Sequence, residues 1–168
     1  MALRERLAAL NPQRTVTLNG ATRPAVIVAE NELVIPVEPL PDAFYIEWGA
    51  AQVVQPQGGS RVLMAMECVI SHHTFGTVGS GVDRGRTLAA LDTELLSICQ
   101  PHRTSKRDFT QAPSVDLGTS ILWTAPALGE VTGSDGPKNE ALPSRSQSVR
   151  LERRARVTVF FFPEVTFL

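Results

Sequence analysis

The stretch RVLMAMECVISHH, residues 61–73, decides the fold. From Arg61 to His72 an extended chain places Val62, Met64, Met66, Cys68 and Ile70 on one side and Leu63, Ala65 and Val69 on the other. A strand apolar on both faces belongs in the middle of a sheet, covered on both sides. Downstream, a glycine-rich turn, Gly76 to Gly81, leads to Asp83 as the N-cap of a helix that continues to Gln100 and stops before Pro101. Leu88, Leu91, Leu95 and Ile98 recur at helical spacing and form one apolar stripe. Burying four such side chains is worth roughly 6–12 kcal/mol, against roughly 1 kcal/mol lost to Gly85 near the helix start. The helix therefore has to pack on the sheet.

Working outward, Ala2 to Leu10 sets Leu3, Leu7 and Leu10 on one helical face, with Arg4, Glu5 and Arg6 elsewhere, and meets a stop at Asn11-Pro12. Thr15 to Leu18, the turn Asn19-Gly20, and Ala25 to Ala29 have the form of a hairpin, because Asn-Gly accommodates the positive φ angles of a tight turn. Pro24 puts that hairpin's second strand at an edge. Three prolines between Pro36 and Pro41 break regular structure, Ala43 to Trp48 forms a short aromatic strand, and Gly49 and Gln55 to Ser60 mark loops. Pro101 to Pro113 is polar and irregular, and Thr119 to Thr124 is another short strand. Pro126 to Ser148 is too long for a hairpin turn and forms the longest loop, suited to a partner or to disorder.

The chain closes with a strand from Val149 to Phe162. Val149, Leu151, Ala155, Val157, Val159 and Phe161 alternate with Arg150, Glu152, Arg154, Arg156 and Thr158, so one face is core and the other wet or shared. Arg153 interrupts the inward series and marks a bulge or the border of the covered region. Phe160-Phe161-Phe162 make both faces apolar at the end, where a helix or a neighbouring subunit is expected to cover them.

With 168 residues, 43% hydrophobic and 20% charged, the chain suits a single α+β domain spanning 1–168 with a real core. Sixteen Lys+Arg against seventeen Asp+Glu give a net charge of −1, so no global field draws it onto nucleic acid or an anionic membrane. No apolar run approaches the roughly 20 residues of a membrane span, and Met1 leads into a charged helix rather than a signal core. Cys68 and Cys99 lie within apolar patterns without a CxxC partner, as free core thiols do in a reducing cytoplasm.

Catalytic constellations are weak. Cys68 with His72 or His73 is the most tempting, yet Cys68 and His72 share the core face of one strand, where apolar surroundings raise a thiol pKa. His72, His73, His102 and the cysteines lack the short ligand spacings of a zinc site. Gly76-Thr-Val-Gly-Ser-Gly81 lacks the lysine of a phosphate loop. Arg150, Arg153, Arg154 and Arg156 are candidate phosphate contacts, but interleaved Glu152 favours an ion-paired subunit face. Asp83, Asp92 and Glu94 are explained by helix capping and solvation. No catalytic, cofactor-binding or metal-binding residue is assigned.

The segments RVLMAMECVISHH…GRTLAALDTELLSICQ and ILWTAPAL…SVRLERRARVTVFFFPE, in that order, resemble the strand-then-helix centre and closing strand pair of tail terminator or tail-completion proteins of tailed bacteriophages and related contractile injection systems. The resemblance implies an α+β fold: a mixed or largely antiparallel sheet, with a long central helix and a short N-terminal helix packed on one face. It implies a virion protein of the tail or neck, assembled in the host cytoplasm. Its copies would form a homomeric ring, usually six-fold, that caps the tail tube, ends its polymerisation and joins it to head or neck proteins. DNA would pass through the lumen without sequence-specific binding. Ring closure needs unlike patches meeting head to tail; Arg150, Arg154, Arg156, Phe160 and Phe162 are the expected interface residues. The alternatives are another phage structural protein (a neck or head-tail connector, or a tube or baseplate subunit), a small cytosolic enzyme using Cys68 or a histidine, and a nucleic-acid-binding module on the Arg-rich strand.

Overall fold

The computed structural model describes residues 2–31, 39–54, 62–77, 81–98, 104–108, 110–134 and 150–163. In chain order these form helix α1 (Ala2–Leu10), strands β1 (Thr15–Leu18), β2 (Ala21–Pro24) and β3 (Val26–Val28), and a 3-10 turn at Ala29–Asn31. β4 (Phe44–Val54), β5 (Leu63–Thr74), helix α2 (Gly81–Ser97), β6 (Thr104–Asp108), β7 (Val115–Trp123), β8 (Ala127–Leu128), β9 (Thr132–Ser134) and β10 (Arg150–Phe161) follow. The fold is α+β. An eight-stranded sheet runs β3-β4-β5-β10-β7-β6, with β8 and β9 also pairing to β10; every pairing is antiparallel except β3 with β4.

β5 is interior, as its two apolar faces require. It pairs with β4 on one side and, without a register break from Leu151↔Thr74 to Phe161↔Met64, with β10 on the other. The inward face of these strands carries Phe44, Ile46, Cys68, Ile70, Ala155, Val157 and Val159, all buried, and both helices lie on it. From α2 come Leu88, Leu91, Leu95 and Ile98, the stripe read from the sequence, and from α1 Leu3 and Leu7. Trp123 closes the far end of α2, its Nε1–H donating to the Ile98 carbonyl at 3.1 Å and satisfying one of the acceptors a helix end leaves open. Arg14 reaches across to Glu94 at 2.6 Å, and Asn11 donates to the same Oε1 at 2.9 Å, tying the chain after α1 to α2.

Several expectations need correcting. The hairpin's second strand is Ala21–Pro24, not Ala25 to Ala29: Asn19 (φ 50°) and Gly20 (φ 78°) make a two-residue turn, so pairing starts directly after it. Val26–Val28, buried at all three positions, instead joins the main sheet beside β4. The Ala43–Trp48 strand extends to Val54, with a bulge between Trp48 and Ala51. Within 101–113, described as irregular from its polarity, Thr104–Asp108 is a strand at the end of the sheet, where polar side chains are tolerated. The 126–148 segment is not all loop. Ala127–Leu128 and Thr132–Ser134 pair with β10, and Gly129 comes so close to Arg154 that a Cβ there would lie 2.9 Å from its carbonyl oxygen. Asp83 is not an N-cap but sits in the first turn of α2, accepting from the Thr77 N–H and, at 2.9 Å, from the Thr77 hydroxyl. Among the described residues both helices lie on the inward face of β5, and on its outer face the second apolar cluster under the β1-β2 hairpin covers the His73 end.

The Gln55–Ser60 loop, part of the Pro36–Pro41 break, Val78–Ser80, Cys99, Gln100, His102, residues 135–149 and the tail after Pro163 lie outside the described residues.

Leu95 and Gly85 test what holds α2. Leu95→Ala, at a fully buried position, should lower unfolding free energy by about 2–5 kcal/mol. Gly85→Ala, where an added Cβ meets nothing within 4 Å, should raise it by about 0.5–1 kcal/mol; both are read by chemical denaturation.

Candidate functional site

Among the described residues, the helices leave the outer face of the sheet without a helical cover. Cross-strand register assigns that face directly, since partners across an antiparallel ladder share a side. Glu152 stands beside His73, Arg154 beside Ser71 and Tyr45, Arg156 beside Val69 and Glu47, and Phe160 beside Ala65 and Leu122. At the β3 end the face is closed by a small second cluster of Ala25, Ile27, Ala43 and Tyr45 under the β1-β2 hairpin. Between that cluster and β10 lies a cleft of about 220 Å³ lined by Ile27, Tyr45, Ser71, His73, Arg150 and Glu152, among others.

Three of the expected interface residues form an arginine line along β10. Arg150 donates to Glu152 at 2.8 Å, and Arg154 approaches the other oxygen of the same carboxylate at 3.4 Å. Arg154 and Arg156 are exposed, Arg150 half-buried. Glu152 thus neutralises part of the line and leaves Arg156 outside that bridge. Phe160 and Phe162 are partly buried at the far end of β10, beside exposed Leu122. Phe161, on the inward face, is met by the Lys106 ammonium 5.8 Å from its ring centre, and Lys106 Nζ donates to the Phe162 carbonyl at 3.1 Å.

Arg153 is not a bulge. It continues the inward series without a register shift, and its Nε lies 3.2 Å from Asp92 Oδ1 of α2. The same oxygen holds His72 Nε2 at 3.0 Å, and His72 is packed edge-on against Phe44. This pinned trio, joining α2 to β5 and β10, was missed in the sequence, although the signal was there. Asp92 falls four residues after Leu88 and three before Leu95, on the same helical stripe, and an inward arginine needs a counter-charge there.

The trio also decides what the cysteine and histidines can do. Burial, with Glu30 adding to it, pushes the Cys68 thiol up to about 12, so it is protonated at neutral pH and a poor nucleophile. Burial holds His72 below the usual histidine value despite its bond to Asp92 through Nε2. Burial, then Arg150, lowers His73 to about 4. Cys68 and His72 are buried on the inward face of β5, four residues apart along the strand, while His73 is buried on the opposite face beside Glu152. Among the described residues no group of three or more His, Cys, Asp or Glu side chains is arranged to hold a metal ion. At the described start of the glycine turn, Gly76 (φ 72°) faces Asp83, whose carboxylate takes the Thr77 N–H. No helix among the described residues is long and apolar enough to cross a membrane.

Both imidazoles sit below their ordinary pKa in the folded chain, so the unfolded chain binds more protons between the two values. The contribution of His73 is complete above about pH 6.5 and is lost as pH falls toward about 4, and that of His72 is likewise lost as pH falls below 6.5. Asp108 and Asp116, held low by local hydrogen bonds, lose theirs only below their ordinary value of 3.8. Denaturation midpoints should therefore be flat from pH 8 to 6.5 and decline from 6.5 to 4, and His73→Gln should make that decline shallower.

No protein-family model matches the sequence, and the search of curated proteins gives no match. Among solved structures, a chain in the virion of a native gene transfer agent particle is similar to this one, with a TM-score of 0.38 and 15% identity over 95% of this chain and 91% of that one.

Proposed function

We propose that this chain is a single-domain structural subunit of a virion, a tail terminator whose copies close into a ring, six-fold by the resemblance of its central segments. The ring caps the tail tube, ends its polymerisation and joins it to the head or neck. DNA passes through its lumen without sequence-specific binding, and the chain acts without catalysis or cofactor. The observation that carries this reading is the one-sided packing of the sheet. Both helices cover the inward face, while the outer face combines a partly ion-paired arginine line (Arg150, Arg154, Arg156) with an apolar end at Leu122, Phe160 and Phe162.

A charged stripe next to an apolar patch is the anatomy of an interface that orients its partner electrostatically and gains affinity from desolvation. Near-neutral net charge lets copies approach without strong mutual repulsion. The buried, protonated Cys68 weighs against the enzymatic alternative that uses it. Glu152 between Arg150 and Arg154 weighs against a phosphate-binding strand.

Native mass spectrometry and negative-stain imaging of the purified chain should give closed rings of one size. Replacing Arg154 and Arg156 together by Glu should move most of the protein to monomer with circular dichroism unchanged. Open stacks of indefinite length would instead favour a tube subunit. A chain that remains monomeric at high concentration and on isolated tube ends would overturn the proposal.

A further inference from the structure

Among the described residues, one edge of the sheet is left open. β3 pairs with β4 only from Phe44 to Ile46, and the Glu30 carboxylate takes the Trp48 N–H at 2.7 Å. Past the bulge at Gly49 and Ala50, β4 pairs with β5 from Ala51 to Val54 on one side, and among the described residues no strand pairs with Gly49–Val54 on the other. This edge reads Gly-Ala-Ala-Gln-Val-Val, without charge or proline; every residue is exposed, Val53 at 59%. Native edges are normally blunted by lysine, proline or a covering loop, because a bare ladder of N–H and C=O groups templates another strand. The bulge between Trp48 and Ala51 lies at the start of this stretch and leaves Ala51–Val54 regular.

We propose that Gly49–Val54 is completed by β6 of a second copy, so that the sheet continues from one subunit into the next. This rests on the ring reading above and names the strands that make its joint. β6 is the terminal strand at the sheet's other end. Four antiparallel steps, β4 to β5, β5 to β10, β10 to β7 and β7 to β6, separate the two, so they run in the same direction. A rotation that keeps strand direction brings β6 of one copy alongside β4 of the next as a parallel pair, which is a head-to-tail contact able to close. The charges agree with that choice. β6 carries Lys106, whose ammonium is held by the Phe162 carbonyl, Asp108 and exposed Arg107, a net positive strand, whereas Glu47 and Glu67 are exposed beside the open part of β4. β6 against β4 therefore brings unlike net charges together, and β4 against β4 would bring like ones.

Register adds a geometric consequence. Thr104 lies level with Val53 across the sheet, through Ile121, Phe161 and Met64. Pairing along the whole edge therefore displaces the neighbour by about four residues, and strands tilted to the ring axis accommodate such a shift.

The test uses two blocked edges. Ala51→Pro, with Val53→Lys as a milder second variant, closes the β4 edge; Ser105→Pro, with Arg107→Glu as its milder counterpart, closes β6. Circular dichroism checks that each is folded. Each alone should lower the assembled fraction at least tenfold by native mass spectrometry, and an equimolar mixture of a β4-blocked and a β6-blocked chain should give heterodimers that grow no further. Rings that persist in both blocked variants would overturn the edge joint while leaving the ring reading standing. Dimers of the β6-blocked chain alone would replace it with a two-fold β4-to-β4 contact. A wild-type chain that never assembles would remove both readings.

Discussion

The ladder between β5 and β10 is the element on which everything else is placed. Its unbroken register from one end of β10 to the other sets which side chains face inward, and a slip of one residue would exchange the Ala155-Val157-Val159 series for the arginine line. That exchange would put charges against Leu91 and Leu95 and valines into water. The two faces of β10 are so unlike that the register specifies itself. Once it is set, α2 has only one surface on which to bury its stripe, and the outer face is left to polar chemistry.

The inward face nonetheless contains a charge. Arg153 enters the core side at the end of the apolar series, and Asp92 answers it from the helix while also holding His72. A buried or half-buried ion pair contributes little net stability compared with well-packed apolar groups, but leaving either partner alone is costly. Such an arrangement therefore acts on position. It ties one turn of α2 to one level of both β5 and β10, and the neutral, low-pKa imidazole adds a hydrogen bond without adding a third charge. The Cys68 thiol, buried further along the same strand and level with Val157, is a packing atom for the same reason that it is a weak nucleophile.

Most of this was legible from periodicity. The α2 stripe, the short first helix and the alternation of β10 follow from spacing alone, because burial imposes those periods directly. What periodicity does not carry is pairing. Val26–Val28 reads as a continuation of the hairpin until its partner is known, and polar Thr104–Asp108 has no inward alternation to announce a strand. Ala127–Leu128 is too short to show any period, yet it is drawn onto β10 by backbone bonding, with Gly129 permitting the approach. Arg153 read as a fault because its counter-charge lies sixty-one residues upstream; sequence spacing does not express that contact. On the outer face, Arg150, Arg154, Arg156, Phe160 and Phe162 were each identifiable as unsuited to a simple wet surface. Their arrangement into a charged line and an apolar end came only with the register.

The open β4 edge and the outer face pose one physical question, which is how a chain keeps such surfaces without aggregating. An uncharged edge pairs with any strand, and apolar ends associate without direction. Specificity has to come from groups that reject wrong neighbours, and the β10 arginines with Glu152 are placed to do so. Their mutual pairing makes them tolerable in the free subunit, while the exposed guanidinium of Arg156 penalises a basic neighbour and favours an acidic one. In the proposed assembly the backbone edge supplies adhesion, the apolar end supplies desolvation, and the arginine line selects the orientation in which both are used. A surface divided in that way would suit one repeated neighbour better than a small molecule, since among the described residues the three contributions are spread over β4, β7 and β10.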